Sequence, residues 1–350
     1  MAVLLVFAFF FSQILGETKP SFTYSYNGQS RSGYIVVDQE WRSSATADID
    51  YKNIGVSTSG GSLTQRLVTT TGGQQVNGSR LYLMSSATKY ETFALLGDVE
   101  FTYDVDLSKT ACGMNAALYT IEMNANGLSN DAQYGTGYCD AQFLGMINGK
   151  QSNGCAELDI MEANKEANVW TTHSCSFLGQ STGGSCSSDG CGFNVNRFCC
   201  AQSQQTHEDI CDFYGSSSKF QIDTTKTFTV ITQFKGNPLK EIVRKYKQGG
   251  KTIENPSCDI WGPNPHDRLD DGFCTASGHS ADMAQMGKSL AKGHVLSFSF
   301  WDSNSGMWWL DQGEYGPCSG SEDAATLHSK YPDATVTWSN VKFGPLDSTY

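Results

Sequence analysis

The chain is short of basic charge. Its 350 residues carry 24 Lys and Arg against 36 Asp and Glu, a formal net charge of -12, and the pI is near 4.9. That balance opposes nucleic acid and anionic membrane as partners and suits a neutral polymer in an acidic medium. Apolar runs are equally scarce. Val3–Phe11 is too short to span a bilayer, and nothing after Gly16 is long and apolar enough. With Ser12–Gly16 behind it, the stretch reads as a secretory signal peptide cleaved near Gly16, although the basic n-region is missing. Residues 17–350 are therefore expected to be secreted, extracellular and free of the membrane. No CxxC or His/Cys metal spacing accompanies the 12 cysteines, which in a secreted chain imply disulfides whose pairing the sequence leaves open. No Pro/Ser/Thr-rich linker or internal repeat divides the chain, so 17–350 is read as one domain.

What the chain has in quantity is β pattern. Gly33–Val37, Arg80–Met84, Val99–Val105, Phe228–Phe234, His294–Trp301 and Thr335–Trp338 are rich in β-branched and aromatic residues, several alternating with period two, with Gly, Ser, Asn and Asp clusters between them. The pattern predicts an all-β fold, a curved antiparallel β-sandwich with long loops and few short helices. Helical signals are few, Ser280–Ala291 being the best of them. Asn77-Gly78-Ser79 is the one N-glycosylation sequon.

The stretch Gly154-Cys155-Ala156-Glu157-Leu158-Asp159-Ile160-Met161-Glu162-Ala163-Asn164 sets three carboxylates among apolar residues. In a strand, Glu157 and Asp159 share a face and Glu162 nominally points to the other. A bulge between Asp159 and Glu162 would return all three acids to one face, as bulges beside active sites do. Read instead as a short helix, the segment would bury its apolar side and set Glu157 and Glu162 about 140° apart, unable to share a substrate. Spacing alone leaves both readings open.

Glu157-x-Asp159-x-x-Glu162-Ala163-Asn164 resembles the catalytic signature of glycoside hydrolase family 7, the retaining cellulases. Ser79–Met84, Ala116–Tyr119, Tyr134–Asp140, Phe300–Asp302, Trp309–Asp311 and Ser339–Pro345 resemble further family segments, in family order. The resemblance implies a jelly-roll-like sandwich with a groove across its concave face. Glu157 would be the nucleophile and Glu162 the acid/base, the two carboxyl groups about 5–5.5 Å apart, and Asp159 would hydrogen-bond Glu157. His173 would be the active-site histidine; the other five histidines gain no support. Trp41, Trp301 and Trp309 match substrate-stacking tryptophans, while Trp170, Trp261, Trp308 and Trp338 are structural or unassigned. Polar contacts would come from Arg80, Asn115, Tyr119, Tyr138, Asp140 and Gln142. Ser43 stands where some members carry a second Trp, which implies weaker binding at the far minus subsites.

No cofactor or metal is implied, and the expected partner is a chain of cellulose or another β-1,4-glucan, bound by a monomer. By the same resemblance Cys112 pairs with Cys318, Cys139 with Cys155, Cys175 with Cys186 and Cys191 with Cys274. Cys199, Cys200, Cys211 and Cys258 have no family partner. A further family bridge is lost at Phe143 and Gly154, which implies a remodelled loop beside the catalytic strand. Against the long insertions with which the family's processive cellobiohydrolases roof the groove, the spans from Tyr138 to Glu157, from Cys175 to Cys186 and over Gly313–Cys318 are short. They imply an open cleft and an endo-1,4-β-glucanase, with a reducing-end cellobiohydrolase as the alternative on the same scaffold and a catalytically inactive β-glucan-binding lectin as the alternative of another class.

Overall fold

The computed structural model describes residues 17–147, 150–196, 212–257, 266–279, 282–320 and 322–350. The expected signal peptide (1–16), Cys199, Cys200, Cys211, Cys258 and Trp261 lie outside them, as does the start of the helix expected from Ser280. That helix runs Met283–Leu290, with the Asp282 carboxylate accepting from the Gln285 N–H at its N-terminus. No helix among the described residues is long and apolar enough to cross a membrane.

The principal strands are β1 (Ser21–Tyr26), β2 (Gln29–Val37), β3 (Ser62–Arg66), β4 (Ser79–Ser86), β5 (Val99–Asp106), β6 (Met114–Ile121), β7 (Glu157–Ala163), β8 (Asn168–His173), β9 (Cys191–Asn194), β10 (Phe228–Lys235), β11 (Glu241–Gln248), β12 (His294–Asp302) and β13 (Thr335–Pro345). Each expected strand segment falls inside one of them. One layer runs β9-β8-β7-β6-β12-β4-β2, every pair antiparallel. The β1–β2 hairpin carries the chain to the second layer, β13-β5-β10-β11, with β3 beside the start of β13. This is the curved antiparallel sandwich expected from the sequence.

Period-two alternation decides which side chains reach the site. On β12, Leu296, Phe298 and Phe300 enter the core between the layers, where Phe298 meets Trp338 of β13 at 6.2 Å between ring centroids. Each such side chain fully removed from water contributes roughly 1.5–3 kcal/mol. Ser299 and Trp301, on the opposite face, line the groove. Trp170 and Trp338 are buried, as expected of structural tryptophans.

All four expected disulfides are present: Cys112–Cys318, Cys139–Cys155, Cys175–Cys186 and Cys191–Cys274. At Phe143 and Gly154, where the resemblance implies a bridge that this chain lacks, an aromatic contact fills the place. Phe143 lays its ring so close to Gly154 that a Cβ there would sit 2.5 Å from it, and its other neighbour is the Phe177 ring, 6.2 Å away between centroids.

Candidate active site

The three acids sit on β7, and the expected bulge is there. Asp159 pairs with Thr171 and Glu162 with Val169, so three steps along β7 match two along β8; on the other side, Tyr119 pairs with Asp159 and Leu118 with Met161. Consecutive Ile160 and Met161 both turn into the core, which returns Glu162 to the groove with Glu157 and Asp159. The helical alternative is therefore excluded. Two outer-layer residues hold the bulge from behind: Arg244 of β11, fully buried and stacked 4.8 Å over the Trp170 ring, donates to the Ile160 carbonyl, and the Tyr103 hydroxyl reaches the Met161 sulfur at 3.2 Å.

The groove encloses about 810 Å³. Its floor holds Glu157, Asp159, Glu162, Thr171, His173, Tyr119 and Ala117, and its walls include Trp41, Arg80, Tyr138, Asp140, Gln142, Trp301 and Trp309. Of the expected site residues only Asn115 stays off this lining, and it acts from beneath: its amide Nδ2 donates to Glu162 Oε1 at 2.8 Å. Glu157 Oε2 accepts the Ala141 N–H at 3.0 Å, and the Cys139–Cys155 bridge ties that loop to the start of β7.

Asp159 has a partner that the sequence did not suggest, His173, whose Nε2 lies 2.9 Å from Oδ2; the other ring nitrogen of His173 lies 2.7 Å from the Ser187 carbonyl. Burial alone would lower the His173 pKa, but the bond to Asp159 and the charges of Asp159 and Glu157 raise it to about 10. An imidazolium thus stands against Asp159. Gly190, at φ +64°, lets this ring in, since a Cβ there would lie 2.5 Å from His173 Cε1.

The walls are preorganised by charge. The Arg80 guanidinium lies 3.5 Å over the Tyr138 ring and 5.6 Å from that of Trp41, and donates to Asp38 at 3.2 Å and Glu40 at 3.1 Å. Trp41 is itself fixed by its indole N–H on the Gly78 carbonyl at 2.9 Å. Asp140 is buried; its Oδ1 accepts the Leu144 N–H at 2.8 Å. Gln142 is partly committed, its amide donating to the Ser188 carbonyl at 2.9 Å. The lining also contains residues that the sequence left unassigned: Trp308, Tyr315, His279, Ser188 and Asp189.

Burial, then the neighbouring charge of Asp159, push Glu157 well above the ordinary carboxylate range, and the same two causes raise Glu162 to about 8 against the Asn115 hydrogen bond and the His173 charge. Between the ordinary value of 4.5 and 8, the folded chain keeps a proton on Glu162 that the unfolded chain releases, so folding loses stability as pH rises through that window. His173 acts in the same direction, its contribution being lost between 6.5 and about 10. The melting temperature of Glu162→Gln should therefore fall less between pH 5 and pH 8 than that of the wild type. Equal falls in calorimetry would show that Glu162 does not hold the proton.

Paired carboxyls on the floor of a groove walled by indoles define an enzyme that cleaves glycosidic bonds in a polysaccharide. The family model "Glycosyl hydrolase family 7" matches residues 38–350, and the chain belongs to that family. Endoglucanase 1 of Humicola insolens is 38% identical over 333 residues, which cover 86% of this chain and 79% of that protein. An endoglucanase I structure solved with cellobiose superposes with a TM-score of 0.84 at 32% identity, covering 95% of this chain and 98% of the other. A family 7 cellobiohydrolase from Daphnia pulex also gives 0.84, at 30% identity, with 96% and 98% covered.

Proposed function

We propose that the protein is a secreted endo-1,4-β-glucanase that cleaves within chains of cellulose or a related β-glucan and retains the anomeric configuration. The observation that carries this reading is the bulge in β7, which brings Glu157, Asp159 and Glu162 to one face beneath the tryptophan walls. Glu157, oriented by the Ala141 N–H, attacks the anomeric carbon and forms a glycosyl ester. Glu162, which holds its proton to about pH 8, gives it to the departing oxygen and then takes one from the incoming water. The His173 imidazolium pairs with Asp159 and keeps its charge in place between the two Glu. Trp41, Trp301 and Trp309 stack on glucosyl rings, and Arg80, Asn115, Tyr119, Tyr138, Asp140 and Gln142 supply the polar contacts. Residues 1–16 act as the signal peptide, and 17–350 act as a single catalytic domain, as a monomer.

Endo action is favoured over exo action by the short spans on either side of the catalytic strand, Cys139 to Cys155 and Cys175 to Cys186, and by the endoglucanase relative. The family's other activity, cellobiohydrolase, has a structural relative of equal TM-score. Viscosity of carboxymethylcellulose measured against released reducing ends separates the readings. A steep viscosity fall per end released is expected. Cellobiose release with little viscosity change would mean exo action, and neither change would mean a lectin.

A further inference from the structure

Trp308 is the most exposed large hydrophobic side chain among the described residues, at 59%, yet it lines the groove. An indole left in water on the lining of a groove offers apolar area that a ligand can cover. It is not loosely held. It opens the one-turn helix Trp308–Asp311, whose far end is pinned on three sides: Asp311 Oδ2 accepts the Gly113 N–H at 2.8 Å and the Asn164 amide at 2.7 Å, and the Asp311 carbonyl accepts the Cys318 N–H at 2.9 Å beside the Cys112–Cys318 bridge. Tyr315 meets the indole edge-on, with centroids 6.1 Å apart, and its own carbonyl accepts from Asn194 Nδ2 at 3.0 Å.

The same helical turn sends its two indoles in different directions. Trp309 packs with Trp301 against Val169, the β8 partner of Glu162, and so stays close to the acids. Trp308 stands out toward solvent, with Tyr315 anchored on β9, the outermost strand of the floor. Trp41 marks the opposite end, beside β4. The exposed polar residues Ser188 and Asp189 of the lining belong to the loop that leads into β9. A flat apolar face with polar neighbours fits the two surfaces of a pyranose ring, its axial C–H face and its hydroxyl edge.

We propose that Trp308, braced by Tyr315, is a stacking platform for one further glucosyl ring of the bound chain, beyond the rings held by Trp301 and Trp309 and at the end of the groove away from Trp41. It makes the protein prefer longer chains. The inference rests on the β-1,4-glucan reading above, and its test separates the two.

The quantity to read is the ratio of kcat/KM on cellohexaose to kcat/KM on dinitrophenyl cellobioside, which is too short to reach the platform. Trp308→Ala should lower that ratio by about three- to tenfold, the range expected from loss of one ring contact, chiefly through KM for cellohexaose. Trp308→Phe, which keeps a flat face, should retain most of it. In cellohexaose labelled with ¹⁸O at the reducing end, the bond cleaved should shift in the Ala variant. A ratio unchanged in Trp308→Ala, or a fall that Trp308→Phe does not lessen, would overturn the platform. A wild-type protein that turns over neither substrate would instead overturn the glucanase reading.

Discussion

Glu157→Gln is expected to lower turnover on cellulose by about 10⁴-fold or more, because an amide cannot form the glycosyl ester on which both halves of the reaction depend. Folding should survive unharmed. The amide oxygen can still accept the Ala141 N–H, as Glu157 Oε2 does. A neutral amide also places no charge where burial and Asp159 disfavour one. The melting temperature at pH 7 should therefore equal or exceed that of the wild type, and cello-oligosaccharides should still bind by calorimetric titration. The pairing of near-normal binding and undiminished stability with lost turnover sets a reacting group apart from a structural one. Turnover near the wild-type rate would remove Glu157 from the role.

The bulge shows how far the sequence reaches and where it stops. Three acids spaced as Glu157, Asp159 and Glu162 are compatible with a strand only if one residue is extra, and Ile160-Met161 supplies two adjacent apolar residues to turn inward. What holds that bulge was not legible: Arg244 lies on another strand in the other layer, and its bond to the Ile160 carbonyl is a long-range contact with no local sequence signal. The partner of Asp159 was missed for a related reason. His173 stands opposite Glu157 in the register of β7 and β8 and brings a ring nitrogen to Asp159, a cross-strand contact with no local sequence signal. Trp308 was missed because a Trp beside a Trp gives no periodicity by which to tell the buried ring from the exposed one. Only the one-turn helix at Trp308–Asp311 separates them. The lost bridge at Phe143 and Gly154 was legible as an absence, but not the ring that fills it.

The two Glu can be told apart by leaving group. Breaking a cellulose link needs Glu162 to protonate the departing oxygen, a contribution of typically about 10²–10⁴-fold from a positioned acid, whereas a dinitrophenolate departs with little help. Glu162→Ala should therefore lose most activity on cellulose and far less of the glycosylation rate on dinitrophenyl cellobioside. Water attack on the ester has also lost its base, so the glycosyl-enzyme should accumulate and appear as a mass increase on the intact protein. Azide, a nucleophile that needs no base, enters from the side that Glu162 has vacated, displaces the Glu157 carboxylate and restores turnover. Two inversions make its product the β-glycosyl azide. In Glu157→Ala, azide occupies the nucleophile side and displaces the aglycone in one inversion, so the product should be the α-glycosyl azide. The two Glu differ in what holds them: the Asn115 side-chain amide donates to one oxygen of Glu162, and the Ala141 backbone N–H to one oxygen of Glu157. An α-azide from the Glu162 variant, or a β-azide from the Glu157 variant, would exchange the two roles. Full activity on cellulose in both variants would mean that β7 is not the catalytic strand.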